Sequence, residues 1–251
     1  MNYYKGNAVY DALEKRCDPR FLWVSGNAWI LLYADRSANA RVLALVTGIS
    51  TSRASGYEQE RLVRARNIVP VLARKAGIVH TFIEFDDTEA TIKEVIQDGQ
   101  RKSLEELKQW CANVGLAVAG GSTNKAINDA SSSAYHKWQR EYLGAIKVSD
   151  IDLLRIDPSS EKIIEICELK RSFIDINIWK PYPIDFVNFD VVANFARQIN
   201  AHFSIVYNVR QTKPIFCDDA ATVSVFSYSK ISGSIKVGVM VFEDFANRIA
   251  S

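Results

Sequence analysis

The chain has 251 residues, of which 48% are apolar and 24% charged. That is the balance of a folded globular chain, long enough to bury roughly 70–75% of its extended surface, and it excludes disordered, collagen-like and small disulfide-scaffold classes. Lys and Arg number 31 and Asp and Glu 29, a formal net charge of +2. A polybasic binder is therefore excluded, whereas a basic cleft offset by acidic surface elsewhere is not.

The four cysteines, Cys17, Cys111, Cys167 and Cys217, are far apart and form no C-x-x-C pair. Neither a zinc ribbon nor a disulfide framework is indicated. The three histidines, His80, His136 and His202, are scattered. No apolar run approaches the ~20 residues of a membrane span. The first twenty residues contain no apolar stretch of the secretory kind. A cytoplasmic protein that meets no membrane is the expectation.

In chain order, residues 1–20 read as a short helix with Val9 and Leu13 on one face. Strand-like runs follow at Phe21–Tyr33 and Arg41–Val46, joined by the turn formers Asp35, Ser37 and Asn39. A helix is expected from Gly56 to Ala76, capped by Ser55, ended by Gly77, and kinked or split by Pro70. Ile78–Phe85 reads as a strand. Asp87–Asn113 is helical in pattern, with a polar break over Gln97–Lys102. Residues 117–133 are small and polar and make the best linker in the chain. Beyond it come a helix at Ala134–Tyr142 and strands at Ile146–Ile156 and Ile163–Lys170, joined by the loop Asp157–Lys162. After an irregular stretch come a helix at Asp185–Asn200, strands at Phe203–Val209, Thr222–Tyr228 and Ser234–Phe242, and a closing helix. The fold class expected is α/β: a mixed sheet flanked by helices over residues 134–251, preceded by an N-terminal α/β region over residues 1–116.

The chemistry concentrates between Val148 and Ser172. Alternate strand residues share a face, so Asp150 goes with Asp152 and Glu168 with Lys170. A turn centred on residue 160 makes antiparallel partners sum to 320, which sets Asp152 opposite Glu168 and Asp150 opposite Lys170. Opposed side chains have Cβ atoms ~4.5–5.5 Å apart, and a one-residue slip would undo the arrangement. Two carboxylates held together call for a cation. A hard ion such as Mg²⁺ meets that need, and it can activate water and neutralise phosphoryl charge. A neighbouring lysine can orient or deprotonate the attacking water.

Asp152 followed by Glu168-Leu169-Lys170 on a hairpin, then a helix and a further strand, resembles the PD-(D/E)XK nuclease superfamily. The likeness covers about residues 134–210. No proline precedes Asp152; Ile151 stands there. The resemblance implies a restriction-endonuclease-like core and Mg²⁺-dependent hydrolysis of DNA, with Mn²⁺ as a substitute. It assigns Asp152 and Glu168 as metal ligands, the backbone carbonyl of Leu169 as a further ligand, and Lys170 as the catalytic lysine. Asp150 is the rival aspartate, and Glu141 and Gln198 are accessory candidates. A type II restriction endonuclease is the preferred form, a homodimer that cuts double-stranded DNA, because a two-fold protein matches a two-fold site. Residues 1–116 would then serve recognition or dimerisation. A phage, repair or Holliday-junction nuclease is the alternative, as is a non-catalytic nucleic-acid binder on the same fold.

Arg61, Arg64, Arg66, Arg74 and Lys75 could track phosphates along the first long helix, as could Arg171, Lys180 and Arg210 near the hairpin. Trp179 and Tyr182 read as a DNA-contacting loop or a packed lid. Cys167 is expected in the core. Glu165 is expected at the surface or paired with Lys162. The run Val46–Thr51 lacks the lysine of a phosphate loop, which disfavours an ATPase.

Overall fold

The computed structural model describes residues 7–52, 56–118, 134–144, 146–211 and 213–248. In chain order the elements are α1 (Ala8–Arg16), β1 (Phe21–Leu22), β2 (Ala28–Ala34), β3 (Ala40–Gly48), α2 (Ile49–Ser52), α3 (Tyr57–Ala76), β4 (Val79–Phe85), β5 (Glu94–Gln97), β6 (Gln100–Ser103), α4 (Leu104–Asn113), α5 (Ala134–Tyr142), β7 (Lys147–Asp150), β8 (Leu153–Ile156), β9 (Ile163–Ser172), α6 (Phe186–Gln198), β10 (His202–Gln211), β11 (Cys217–Ser229), β12 (Gly233–Val241) and α7 (Phe242–Asn247). A 3-10 turn, Pro183–Asp185, leads into α6. The chain is α/β, with helices flanking two mixed six-stranded sheets. Among the described residues no helix is long and apolar enough to cross a membrane.

The chain folds as two compact units, and their division differs from the one expected. Residues 24–150 belong to the first unit; residues 6–23 and 151–251 belong to the second. Thus α5 falls in the first unit rather than opening the second, and α1 joins the C-terminal half. Most of the expected linker 117–133 lies outside the described residues; Val118 within it bridges to Gly144.

The first unit carries the sheet β6-β5-β4-β3-β2-β7. Its one parallel pair, β3 with β4, is joined through α3, the crossover that parallel strands need. Leu62, Ala65, Val69, Leu72 and Ala73 are the buried stripe of α3. They lie on both sides of Pro70, so packing holds the helix in one run of 20 residues where a kink or a split was expected. The expected cap Ser55 lies outside the described residues, and Gly56 occupies the N-cap. Val42, Ala44, Val46, Phe85, Leu107, Cys111, Tyr135 and Trp138 form one buried cluster of sheet, α4 and α5.

The long helix expected over Asp87–Asn113 is instead a hairpin followed by a short helix. Asp98 and Gly99 have φ of 51° and 81°, the left-handed pair that a two-residue hairpin turn requires. β5 and β6 pair directly across it. The helix α4 starts only at Leu104, where Ser103 and Glu106 form a reciprocal capping box.

The second unit carries the sheet β1-β8-β9-β10-β11-β12. Again one pair is parallel, β9 with β10, joined through α6. Val9 and Leu13 of α1 and Phe242 and Phe245 of α7 cluster with Cys167, Val206, Val223 and Val225 on one face. Asn7 caps α1 by accepting from the Val9 N–H at 3.0 Å. Residues of opposite parity on β9 face α6, where the Lys170 ammonium lies 5.4 Å from the Phe189 ring centroid.

Two runs expected as single strands are each cut where the chain passes between units. Phe21–Tyr33 divides into β1 of the second sheet and β2 of the first, across Gly26 with φ of 71°. Ile146–Ile156 divides into β7, which pairs with β2, and β8, which pairs with β9. Apolar alternation is the same in every half-buried strand, so it cannot tell which sheet a strand joins.

Candidate active site

The hairpin β8–β9 has the register that the sequence predicts. Leu153 pairs with Cys167, Leu154 with Ile166 and Arg155 with Glu165, three pairs summing to 320, while next to the turn Ile156 pairs with Ile163 across a register shift between Arg155 and Ile156. Asp152 is one residue beyond the last pair, on the side of Glu168. Pairing ends there, so the Leu169 N–H on β9 has no β8 carbonyl to meet. The Asp152 carboxylate takes that place and accepts the Leu169 N–H at 2.7 Å. From the other side the Tyr10 hydroxyl donates to the Asp152 carbonyl at 2.9 Å, and the Tyr10 ring stacks on Trp23 with centroids 5.4 Å apart. The backbone at Asp152 is thereby held by α1 and by the segment after β1, both from the N-terminal end of the chain.

On β9, Glu168 and Lys170 share one face and form an ion pair at 2.9 Å. Lys170 also approaches Asp185 at 3.9 Å. Burial opposes the charge on the Lys170 ammonium. Glu168, Asp185 and Asp152 outweigh it, and the amine is held above its usual range. Three carboxylates thus bias one ammonium at the C-terminal end of β9. Asp185 did not figure in the reading of the sequence. The available signal was an acidic residue at the start of the helix that follows the motif, after Pro183.

The donor chemistry fits an ion of the Mg²⁺ kind. Such an ion takes one or two carboxylates and keeps several waters. Asp152 and Glu168 with the Leu169 carbonyl make a donor set of that size. A closed cage is not present: no group of three His, Cys, Asp or Glu side chains that could hold a metal occurs among the described residues.

No family model matches the chain. No curated protein and no solved structure matches it either.

The remaining residues singled out from the sequence are spread over both units. Asp150 belongs to β7 of the first unit, where it pairs with Leu31, and is not the hairpin partner of Lys170. Glu141 is an exposed residue of α5 in that same unit. Gln198 ends the 13-residue α6. Asp185 and Lys170 lie at the start of that helix, about 20 Å away along its axis, so Gln198 does not face the site. Arg61 and Arg64 lie on α3 of the first unit, and Arg61 approaches the Ser25 hydroxyl at 3.5 Å. Arg66 pairs with Glu84. Arg171 pairs with Asp218 at 2.9 Å, and Lys180 is exposed. Trp179 is buried and stacks on Tyr207 at 4.1 Å, whereas Tyr182 is exposed.

Cys167 is in the core, as expected, and burial pushes its thiol pKa up. Glu165 is not at the surface. It is fully buried, accepts from Arg248 and from the Ser204 hydroxyl at 2.5 Å, and faces Arg155 at 3.5 Å. The reason is its parity: residues 165 and 167 point to the face that α7 covers, and a buried carboxylate needs cations there.

Proposed function

We propose that this protein is a metal-dependent nuclease that hydrolyses phosphodiester bonds of DNA at Asp152, Glu168 and Lys170. The observation that supports it best is the pairing of Lys170 with Glu168 at 2.9 Å and its approach to Asp185 at 3.9 Å, at the open end of the hairpin where Asp152 accepts the Leu169 N–H. Asp152, Glu168 and the Leu169 carbonyl would hold Mg²⁺ or Mn²⁺, which when bound supplies a more acidic water and neutralises phosphoryl charge. Lys170, kept protonated by its carboxylate neighbours, offers a positive charge to a phosphate oxygen. Tyr10 and the Leu169 N–H keep Asp152 in place against the repulsion of Glu168. The site-specific, double-strand-cutting form of this reading assigns the first unit to sequence recognition or to a homodimer interface, and it places the protein in the cytoplasm as part of restriction-modification.

The test is incubation of plasmid or phage DNA with the protein and Mg²⁺. Lys170→Ala and Asp152→Ala should each reduce cleavage by at least about 100-fold. Asp152→Ala should also cost about 1 kcal/mol of stability by leaving the Leu169 N–H unpaired. Cleavage by either variant at the wild-type rate would overturn the assignment. A second reading, a nucleic-acid binder without catalysis, draws on the protein partners that both carboxylates already have, Leu169 for Asp152 and Lys170 for Glu168. Calorimetric titration with Mg²⁺ separates the two, because the binder gives no heat that depends on Asp152.

A further inference from the structure

Lys170 stands between two carboxylates. Its ammonium pairs with Glu168 at 2.9 Å and is 3.9 Å from Asp185, just beyond hydrogen-bond reach. Asp185 occupies the N-cap position of α6, where an aspartate ordinarily accepts an N–H of the first turn, yet its side chain makes no capping bond. Among the described residues its carboxylate is within ion-pair distance of Lys170 and of no other cation. Phe189 follows one helical turn later on the same face, and the ammonium is 5.4 Å from its ring centroid. The side chains of Glu168, Lys170 and Asp185 are 12, 28 and 24% exposed, so water and a small ion reach all three.

Glu168 has two tasks that conflict. Without metal it carries the Lys170 ammonium; as a metal ligand it would carry a divalent cation. The two cations on one carboxylate repel each other at close range. Asp185 offers the ammonium another place. Lys170 has a flexible four-carbon stem, and the shift needed is about 1 Å, from 3.9 Å to the roughly 2.7–2.9 Å of a charged hydrogen bond. The Phe189 ring already holds the ammonium on the α6 side. The charges balance in the same way. Asp152, Glu168 and Asp185 with Lys170 leave two negative charges, which one divalent ion offsets.

We infer that Asp185 is a positioning residue that receives the Lys170 ammonium when Glu168 turns to a divalent cation, so that the site exchanges an internal cation for the metal. The inference rests on the nuclease reading for the role of Glu168. It is tested on the full chain with Mn²⁺ alone and no DNA, so that no step of cleavage enters. In crystals grown with Mn²⁺ the Lys170 ammonium should lie at hydrogen-bond distance from Asp185 and out of reach of Glu168. In calorimetric titration Asp185→Asn should weaken Mn²⁺ binding roughly 3- to 30-fold. That variant keeps the shape of a side chain that α6 does not use as a cap. Lys170 still on Glu168 with the metal bound would overturn the inference, and so would Asp185 itself ligating Mn²⁺. Wild-type affinity in Asp185→Asn, with Mn²⁺ binding lost in Glu168→Gln, would remove this inference and leave the nuclease reading standing. No Mn²⁺ binding by the wild type, or binding indifferent to Glu168→Gln, would remove both.

Discussion

Replacing Glu165 by Gln keeps the shape of the side chain and removes its charge. In the folded protein this carboxylate is 0% exposed. It is faced by Arg155, 3% exposed at its side chain, and by Arg248, 13% exposed. Arg155 keeps its bonds to the carbonyls of Phe245 at 3.4 Å and Ala246 at 2.7 Å. Arg248 loses its anion, and the two guanidiniums are left facing each other in a site with little water. Removing one partner of a buried ion pair costs about 3–5 kcal/mol, because the charge that remains is uncompensated. Glu165→Gln should lose about that much stability, measured by urea denaturation with m unchanged. The double variant Glu165→Gln/Arg248→Met removes one of the stranded cations and should regain part of the loss. A single variant within about 1 kcal/mol of wild type would refute the reasoning. So would a double variant no more stable than the single one.

Two further predictions concern the first unit. Burial, with Arg140 adding to it against Asp150, pulls the His136 ring from 6.5 to about 4. Between those values the unfolded chain takes up a proton that the folded chain refuses, so stability is complete above pH 6.5 and falls as pH drops toward 4. The whole loss is about 3 kcal/mol, and a His136→Gln variant should show a flatter pH profile; parallel profiles would refute the assignment. At Gly48 an added Cβ would come within 2.4 Å of the Asp87 Oδ2 and 2.9 Å of its Cβ, too close for a rotation of the side chain to relieve. Gly48→Ala should cost about 1–3 kcal/mol in thermal or chemical unfolding by displacing Asp87 from Asn27 and Ser50, and an unchanged midpoint would show that the loop yields freely.

Much of the second unit was legible in the sequence because its signals are local. The turn Asp157–Lys162 locates the hairpin, and alternation gives Glu168 and Lys170 a common face, although the register at the site is reached only through a shift between Arg155 and Ile156. The helix α6 announces itself by Val191 and Phe195 at helical spacing. What stayed hidden depends on contacts between distant residues. Nothing near Asp150 says that the strand ends there and that its last residues serve another sheet. Parity placed Glu165 opposite the site, but only the arrival of α7 and Arg248 turns that face into interior. Asp185 reaches Lys170 through the return of the chain after β9. Asp98-Gly99 is different: that dipeptide is a strong hairpin signal, and the apolar pattern around it masked it.

The two crossings between units, after Trp23 and after Asp150, make the second unit discontinuous in sequence. During synthesis the inserted unit is complete once residue 150 has left the ribosome. Helix α1 has by then been waiting with Val9 and Leu13 uncovered, because the valines of β11 and the rings of α7 that cover them are made some two hundred residues later. Tyr10, which steadies Asp152, waits on that helix too. The surroundings of Asp152 are therefore assembled last, by the closing of α1 onto β11 and α7, and a chain cut before β11 carries the first unit without an organised Asp152.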